Sequence, residues 1–202
     1  AVAPVDAATL GLFLPRWHEL GTTRGGPARL LEVIQQLEGL ELPWSALQDT
    51  ILPARVADFS VTMLDMLAAS GQLVWVGTAP LGTRDGRLAL YLREHVGELL
   101  ASPDEPDQLS DQHRFVLSYL ADRGASFTFE LETAARDAHT DLKPAEFQSL
   151  LWDLVWAGLI TNDTFSPLAT LGASRRRGNS RRSARQSTIA GGRWSLVATL
   201  ID

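Results

Sequence analysis

The sequence predicts an α+β protein that is mostly helical. Apolar residues recur at helical spacing along most of the chain, for example at Leu30, Val33, Ile34 and Leu37. This period gives way to β-branched and aromatic runs in only a few places, such as residues 73–76. Of the 202 residues, 45% are hydrophobic and 21% are charged, a mix typical of a folded chain rather than a disordered one.

The composition rules out several kinds of site. The chain has no Cys, which excludes disulfides, thiolate zinc sites and cysteine nucleophiles. Its four His are scattered, so a His-based metal site is not expected. No signal peptide and no apolar run of about 20 residues is present, so we expect a cytoplasmic location and no membrane partner. Because the chain begins without Met and stops inside a predicted strand, we expect it to be a piece of a longer polypeptide.

The first half has the element order of a winged helix. A helix over residues 4–14, begun by Asp6 and ended by Pro15, precedes it. Three helices follow, ending near Gly39, Leu52 and Gly71, and strands are predicted at residues 73–76 and 87–92. Three helices followed by a two-stranded hairpin is the order of a winged helix.

The second half repeats this order after a polar, Pro-containing linker at residues 102–110. Helices are predicted at 111–122, 129–138 and 144–157, then strands at 159–161 and 194–200. Leu64, Leu67 and Gly71 lie 87 positions before Leu151, Leu154 and Gly158. The sequence therefore predicts tandem winged-helix domains. Their expected bounds are 1–26 for an N-terminal helix and linker from a preceding module, 27–101 for domain 1, 102–110 for the linker, and 111–202 for domain 2 with a long Arg-rich wing loop at 163–192.

Positive charge is concentrated in one stretch, here called the arginine arm. Six of the eighteen basic residues lie within eleven positions that contain no acid: Arg175, Arg176, Arg177, Arg181, Arg182 and Arg185. The rest of the chain has twelve basic and twenty-four acidic residues and so carries −12, while the net charge of the whole chain is −6. An Arg-rich wing could follow a phosphate backbone and release counterions on binding, which predicts a nucleic-acid contact.

Five strings resemble the C-terminal region of the large helicase-related (Lhr-type) bacterial proteins. They are Phe-Leu-Pro-Arg-Trp at 13–17, Ile-Leu-Pro-Ala-Arg-Val at 51–56, Leu-Leu-Trp-Asp-Leu-Val-Trp-Ala-Gly at 150–158, Thr-Asn-Asp-Thr at 161–164 and Gly-Arg-Trp-Ser-Leu at 192–196. The resemblance covers almost the whole chain in the expected order. It implies a segment of a superfamily-2, ATP-dependent 3′-to-5′ DNA helicase that acts in DNA repair with single-stranded DNA as its track, with a tail of repeated winged helices and a β-barrel.

The motor of such a helicase is not in this sequence. No Gly-x-x-x-x-Gly-Lys-Ser/Thr loop occurs, and Lys143, the only lysine, precedes Pro144 at a helix start. We therefore expect a non-catalytic segment with no cofactor of its own, ATP and Mg belonging to the parent motor.

Several candidate site residues have a simple structural role as the alternative. Both predicted third helices carry acids and almost no bases, so we expect them to pack against neighbouring modules of the parent protein rather than read DNA. Trp194, next to Arg193 at the base of the arginine arm, is the best candidate among six Trp for stacking on an unpaired base. Thr-Asn-Asp-Thr at 161–164 is expected to shape a turn rather than to catalyse.

Three functions stay open at this point. The first is a DNA-handling module, with neighbouring modules of the same chain or a homo-oligomer as protein partners and single-stranded DNA as ligand. The second is an assembly scaffold without nucleic-acid contact. The third is a part of a winged-helix DNA glycosylase, for which no pocket is legible in the sequence.

Overall fold

The computed structural model describes residues 4–103, 106, 109–139, 141–173 and 191–201. In the first half, three strands form an antiparallel sheet in the order β1-β3-β2. The elements are α1 (Ala7–Trp17), α2 (Gly26–Gln35), β1 (Leu42–Pro43), α3 (Trp44–Ala46) continued by a π-helical turn (Leu47–Ile51), α4 (Val61–Ala69), β2 (Leu73–Leu81), β3 (Asp85–Leu92) and α5 (Val96–Leu99).

The second half repeats this arrangement, and its antiparallel sheet has the order β4-β6-β5. Its elements are α6 (Asp111–Arg123), β4 (Ser126–Phe127), α7 (Thr128–Ala138), α8 (Pro144–Trp156), β5 (Ile160–Asn162), α9 (Ser166–Ala173) and β6 (Arg193–Leu196). In both halves the central strand of the sheet is the last one in sequence.

Local signals set most helix ends where the sequence places them. The carboxylate of Asp6 accepts a hydrogen bond from the Thr9 backbone N–H at 2.7 Å and so caps α1. Ser60 precedes α4. Gly71 and Gly158 follow α4 and α8 with φ of 74° and 72°, a backbone conformation that glycine adopts without strain.

Three expectations about the elements are wrong. Pro15 does not end α1: the helix continues to Trp17, and the His18 N–H bonds to the Leu14 carbonyl, although Pro15 has no N–H to donate to the Gly11 carbonyl. The connection after β5 is not irregular from Asp163 onward, since α9 starts at Ser166 with Phe165 and Leu168 buried. The last predicted strand is shorter than residues 194–200, because β6 ends at Leu196 and a 3-10 turn over Ala198–Leu200 follows.

Both halves share one hydrophobic core. The Trp75 indole of β2 donates from Nε1 to the Thr164 carbonyl at 3.0 Å, and the Thr161 hydroxyl donates back to the Trp75 carbonyl. The buried ring of Phe165 stacks on Trp44 of α3 at 5.6 Å between centroids and contacts Trp75 at 6.0 Å. The second sheet is therefore held in place by the first.

Candidate nucleic-acid interface

Helix α8, the third helix of the second half, is packed against the first sheet. Gly77 of β2 meets the Val155 carbonyl and the Trp156 ring so closely that a Cβ there would lie 2.5 Å and 2.9 Å from them. A Cβ on Gly86 of β3 would overlap the Trp156 ring. This face of α8 is closed to a DNA groove.

Helix α4, the third helix of the first half, is tied to the second half. The Asp65 carboxylate accepts a hydrogen bond from the Phe165 backbone N–H at 2.6 Å. Leu64 and Leu67 are buried on the same helix. Both third helices therefore pack against the opposite half of this chain, and their packing against neighbouring modules stays a prediction.

The turn after β5 shapes the start of the connection that carries the arginine arm. The Asn162 side-chain oxygen accepts hydrogen bonds from the backbone N–H and the hydroxyl of Thr164, both at 3.0 Å. Asp163 accepts from the Arg193 backbone N–H at 2.6 Å. The predicted structural role of this Asn-Asp pair is confirmed.

Gly192 lets the chain return against this turn. Its φ is 72°, and a Cβ would overlap the Asn162 side-chain oxygen and lie 2.5 Å from the Asp163 carboxylate. Only a glycine fits such a close approach without displacing the turn. The turn at residues 162–164 and Gly192 are therefore packed together at the base of the arginine arm.

Arg193 is exposed at this base and already holds one carboxylate. Its Nε donates to Asp163 at 3.0 Å, while the side chain stays 53% exposed. No partner for its Nη1 and Nη2 lies among the described residues. Those two groups can donate to an incoming phosphate oxygen.

Trp194 is placed differently from the prediction. The ring is fully buried, donates from Nε1 to the Thr128 hydroxyl at 2.9 Å and packs edge-on against Trp152 at 6.3 Å. Because alternate residues of a strand face opposite sides of a sheet, Arg193 points outward and Trp194 inward. The stacking role expected for Trp194 is wrong in this structure, since a base cannot reach its face.

The arginine arm itself lies outside the described residues. This covers Arg175, Arg176, Arg177, Arg181, Arg182 and Arg185. The structure describes the chain on both sides of it, up to α9 and from Gly191 onward.

One exposed aromatic pair beside Arg193 was not predicted from the sequence. Phe127 of β4 and Phe129 of α7 are 46% and 62% exposed, with rings stacked at 6.0 Å and an interplanar angle of 17°. Phe127 lies opposite Arg193 in the sheet register. Phe127 and Phe129 are two positions apart where β4 passes into α7, and no periodic pattern in the sequence showed that both rings are exposed.

Comparison with known proteins gives the family. The profile described as "Large helicase-related protein, winged-helix domain" matches residues 5–93. Those residues belong to this winged-helix family. The resemblance to large helicase-related proteins that the five strings carry is confirmed.

Two large helicase-related proteins are similar over nearly the whole chain. The Lhr helicase/probable uracil glycosylase of Mycolicibacterium smegmatis is 36% identical over 200 residues, which is 97% of this chain. The Lhr helicase/uracil glycosylase of Escherichia coli strain K12 is 39% identical over 207 residues, which is 93% of this chain. The chain spans 13% of the length of each relative.

Four of the five strings that resemble the large helicase-related proteins contribute residues to the buried part of the structure. Leu52 and Val56 of the second string are buried, and Trp156 of the third lies on Gly86. Asn162 of the fourth and Trp194 of the fifth are buried beside β5 and β6. Phe13 and Trp17 of the first string, in contrast, are exposed.

The described ranges of the chain hold neither a cluster of metal-ligating side chains nor a helix that could span a membrane. No three His, Asp or Glu side chains there come close enough together to hold a metal ion. Every helix there falls short of the length and apolarity needed to cross a bilayer.

Proposed function

We propose that the chain is a non-catalytic module of an ATP-dependent 3′-to-5′ DNA helicase of the Lhr type. It contacts single-stranded DNA through the arginine arm and packs against neighbouring modules of the same polypeptide during DNA repair in the cytoplasm. The observation that carries this proposal is the separation of charge. Six arginines stand in an acid-free stretch between β5 and β6, while the rest of the chain carries −12.

The two halves are, in this proposal, tandem winged helices with a junction at residues 102–110. Each sheet has the order first-third-second, as β1-β3-β2 and β4-β6-β5. Each third helix ends at a glycine followed by a strand. The family profile covers only the first of these units.

A wing contact fits this molecule better than a recognition-helix contact. Each of α4 and α8 contacts the opposite half, and the exposed part of α8 carries Glu146 and Asp153. Such carboxylates repel phosphates. The arginine arm lies in the chain between α9 and β6, and the paired ends of β5 and β6 present the Nη groups of Arg193.

Replacing the six arginines of the arm by Ser tests the DNA contact. Binding to a single-stranded oligonucleotide is measured against salt concentration. If all six contact phosphates, the plot of log affinity against log salt concentration is less steep for the variant than for wild type. The two slopes differ by about 4, because each single-strand phosphate contact contributes about 0.7.

A matched control separates arrangement from net charge. Ser at six exposed basic positions elsewhere removes the same amount of charge: Arg16, Arg84, Arg114, Arg123, Arg136 and Lys143. We expect this control to keep most of the wild-type slope. Equal slopes for wild type and arm variant contradict the DNA contact and favour the scaffold function.

A glycosylase part is the second candidate, because the names of both relatives include uracil glycosylase. Its test is incubation of the chain with a uracil-containing oligonucleotide, followed by strand cleavage at abasic sites. We expect no cleavage from this chain.

In the proposal, ATP and Mg act only in the parent motor. Nucleotide hydrolysis by the chain itself would contradict the proposed non-catalytic function.

The packing role is supported by α1. No residue of this helix is buried, although Leu10, Leu12, Phe13, Leu14 and Trp17 are all apolar. A contiguous exposed apolar surface of this kind marks an interaction site. We assign it to a neighbouring module of the same polypeptide, and a homo-oligomer is the alternative.

A further inference from the structure

Phe127 and Phe129 form a small aromatic surface that lies outside the hydrophobic core. Their rings lie nearly parallel, with 17° between the planes and 6.0 Å between the centroids. Both side chains are large and apolar, yet about half of each faces solvent. Scattered single apolar residues on a surface need no explanation, but a stacked pair presents a continuous π face.

The sheet register puts this surface next to a cation. Phe127 pairs with Arg193, and Ser126 pairs with Trp194. Directly opposite residues share one face of a sheet, with Cβ atoms about 5 Å apart. Because Ser126 and Trp194 are both buried, Phe127 and Arg193 lie together on the outer face.

We infer that Phe127, Phe129 and Arg193 form a stacking platform for an unpaired nucleic-acid base. The rings take the base, and the Nη groups of Arg193 bind an adjacent phosphate. Aromatic side chains beside basic ones are how single strands are bound without sequence preference. This inference rests on the proposed function, and it moves the stacking role from the buried Trp194 to the exposed Phe pair.

The acids around the platform are already engaged. Glu130 accepts a hydrogen bond from the Phe127 backbone N–H at 2.8 Å, and Asp163 holds Nε of Arg193 and its backbone N–H. Asp163 therefore fixes the Arg193 side chain through Nε and leaves the outer edge of the guanidinium exposed. A guanidinium held in this way loses little rotamer freedom on binding a phosphate.

Local geometry favours a base over a second protein segment as the occupant. The platform is two rings wide and has a cation on its strand neighbour, which matches the size and charge of one nucleotide. The α1 surface is larger and wholly helical, and it is the better match for a protein partner.

The test compares two single-stranded oligonucleotides of equal length, one with bases and one with abasic internal sites. The Phe127→Leu/Phe129→Leu variant keeps apolar bulk but removes the π faces. We expect it to bind the base-containing strand about 10-fold more weakly than the unaltered chain, and the abasic strand equally well. Arg193→Gln is expected to weaken both.

A second stacked and exposed pair supplies the control. Phe13 and Trp17 of α1 lie 5.6 Å apart at 27° and are 50% and 56% exposed. Phe13→Leu/Trp17→Leu should leave both affinities unchanged. Equal loss in this control, or no loss in the Phe127/Phe129 variant, overturns the platform.

The two proposals fail in different ways. If the platform is wrong but the arginine arm binds DNA, the Phe127→Leu/Phe129→Leu variant matches wild type while the six-Ser variant loses affinity for both strands. If the arm does not bind, the six-Ser variant matches wild type on the abasic strand. If the unaltered chain binds neither strand, both proposals are wrong. Thermal melting of each variant checks that these surface changes leave the fold intact.

Discussion

At the scale of single residues, the contact between the halves depends on the absence of a side chain. Gly86 lies under the indole ring of Trp156, and even one methyl group would overlap it. Gly77 lets the Val155 carbonyl approach β2 in the same way. Two glycines on neighbouring strands thus make the recess into which α8 fits.

Gly86→Ala tests this close approach. Its methyl group must displace the Trp156 ring, and overpacking of this kind costs about 1–3 kcal/mol in the free energy of unfolding. Urea denaturation followed by Trp fluorescence measures the change. Gly11→Ala is the matched control, because nothing lies within 4 Å of a Cβ there, and we expect its effect to be small or slightly stabilising. A Gly86→Ala variant as stable as wild type would contradict the packing described.

Residue-level predictions from sequence succeeded where the signal is local. Asp6 and Gly71 act within three or four positions of themselves, and the structure places each at a helix end as expected; Ser60 also precedes α4, although its side chain makes no capping hydrogen bond. Trp194 depends on a partner 66 positions away, the Thr128 hydroxyl. Nothing near Trp194 in the sequence shows that contact, so its burial could not be predicted.

At the scale of elements, α1 differs from every other long helix described. It is well capped and apolar, but it contributes no buried residue to this chain. Its exposed side chains are available to a second protein surface.

Substitution of Leu12 and Phe13 by Gln tests what covers α1. Since Leu12 is 75% exposed, we expect the free energy of unfolding of this chain to change by only about 0.5 kcal/mol. In a longer polypeptide that includes neighbouring modules, the same variant should lower the melting temperature. A decrease in oligomeric state of the isolated chain on sedimentation would favour the homo-oligomer instead. The buried Leu30→Ala is the positive control, expected to cost about 2–5 kcal/mol.

Elements could be predicted when they are long and periodic. The helices α4, α6 and α8 and the hairpin of β2 and β3 follow from spacing and from their flanking glycines or caps. The strands β1 and β4 have two residues each and exist only because β3 and β6 pair with them. No period can be read from two residues, so neither strand was predicted from the sequence. The position of Phe127 beside Arg193 was not predicted for the same reason.

At the scale of the whole molecule, the repeat pattern predicts two domains, while the packing joins them. Trp75 of the first half and Thr161 and Thr164 of the second exchange hydrogen bonds, and Phe165 fills the space between Trp44 and Trp75. A sequence repeat shows which segments fold alike, but it carries no information on how their surfaces meet. Residues 102–110 connect units that are in firm contact.

This shared core predicts that the chain unfolds in a single transition. Unfolding in denaturant should give coincident curves by far-ultraviolet circular dichroism and by Trp fluorescence, because neither half can lose its core alone. Phe165→Ala should lower the stability of the whole by about 3–5 kcal/mol, and the milder Phe165→Leu serves if the Ala variant does not fold. Phe129→Ala, at an exposed ring, is the control and should shift the midpoint little. Two separate transitions, or a Phe165 variant that shifts only one of them, would mean that the halves are independent units. In that case the first sheet would not hold the β5–β6 base of the arginine arm.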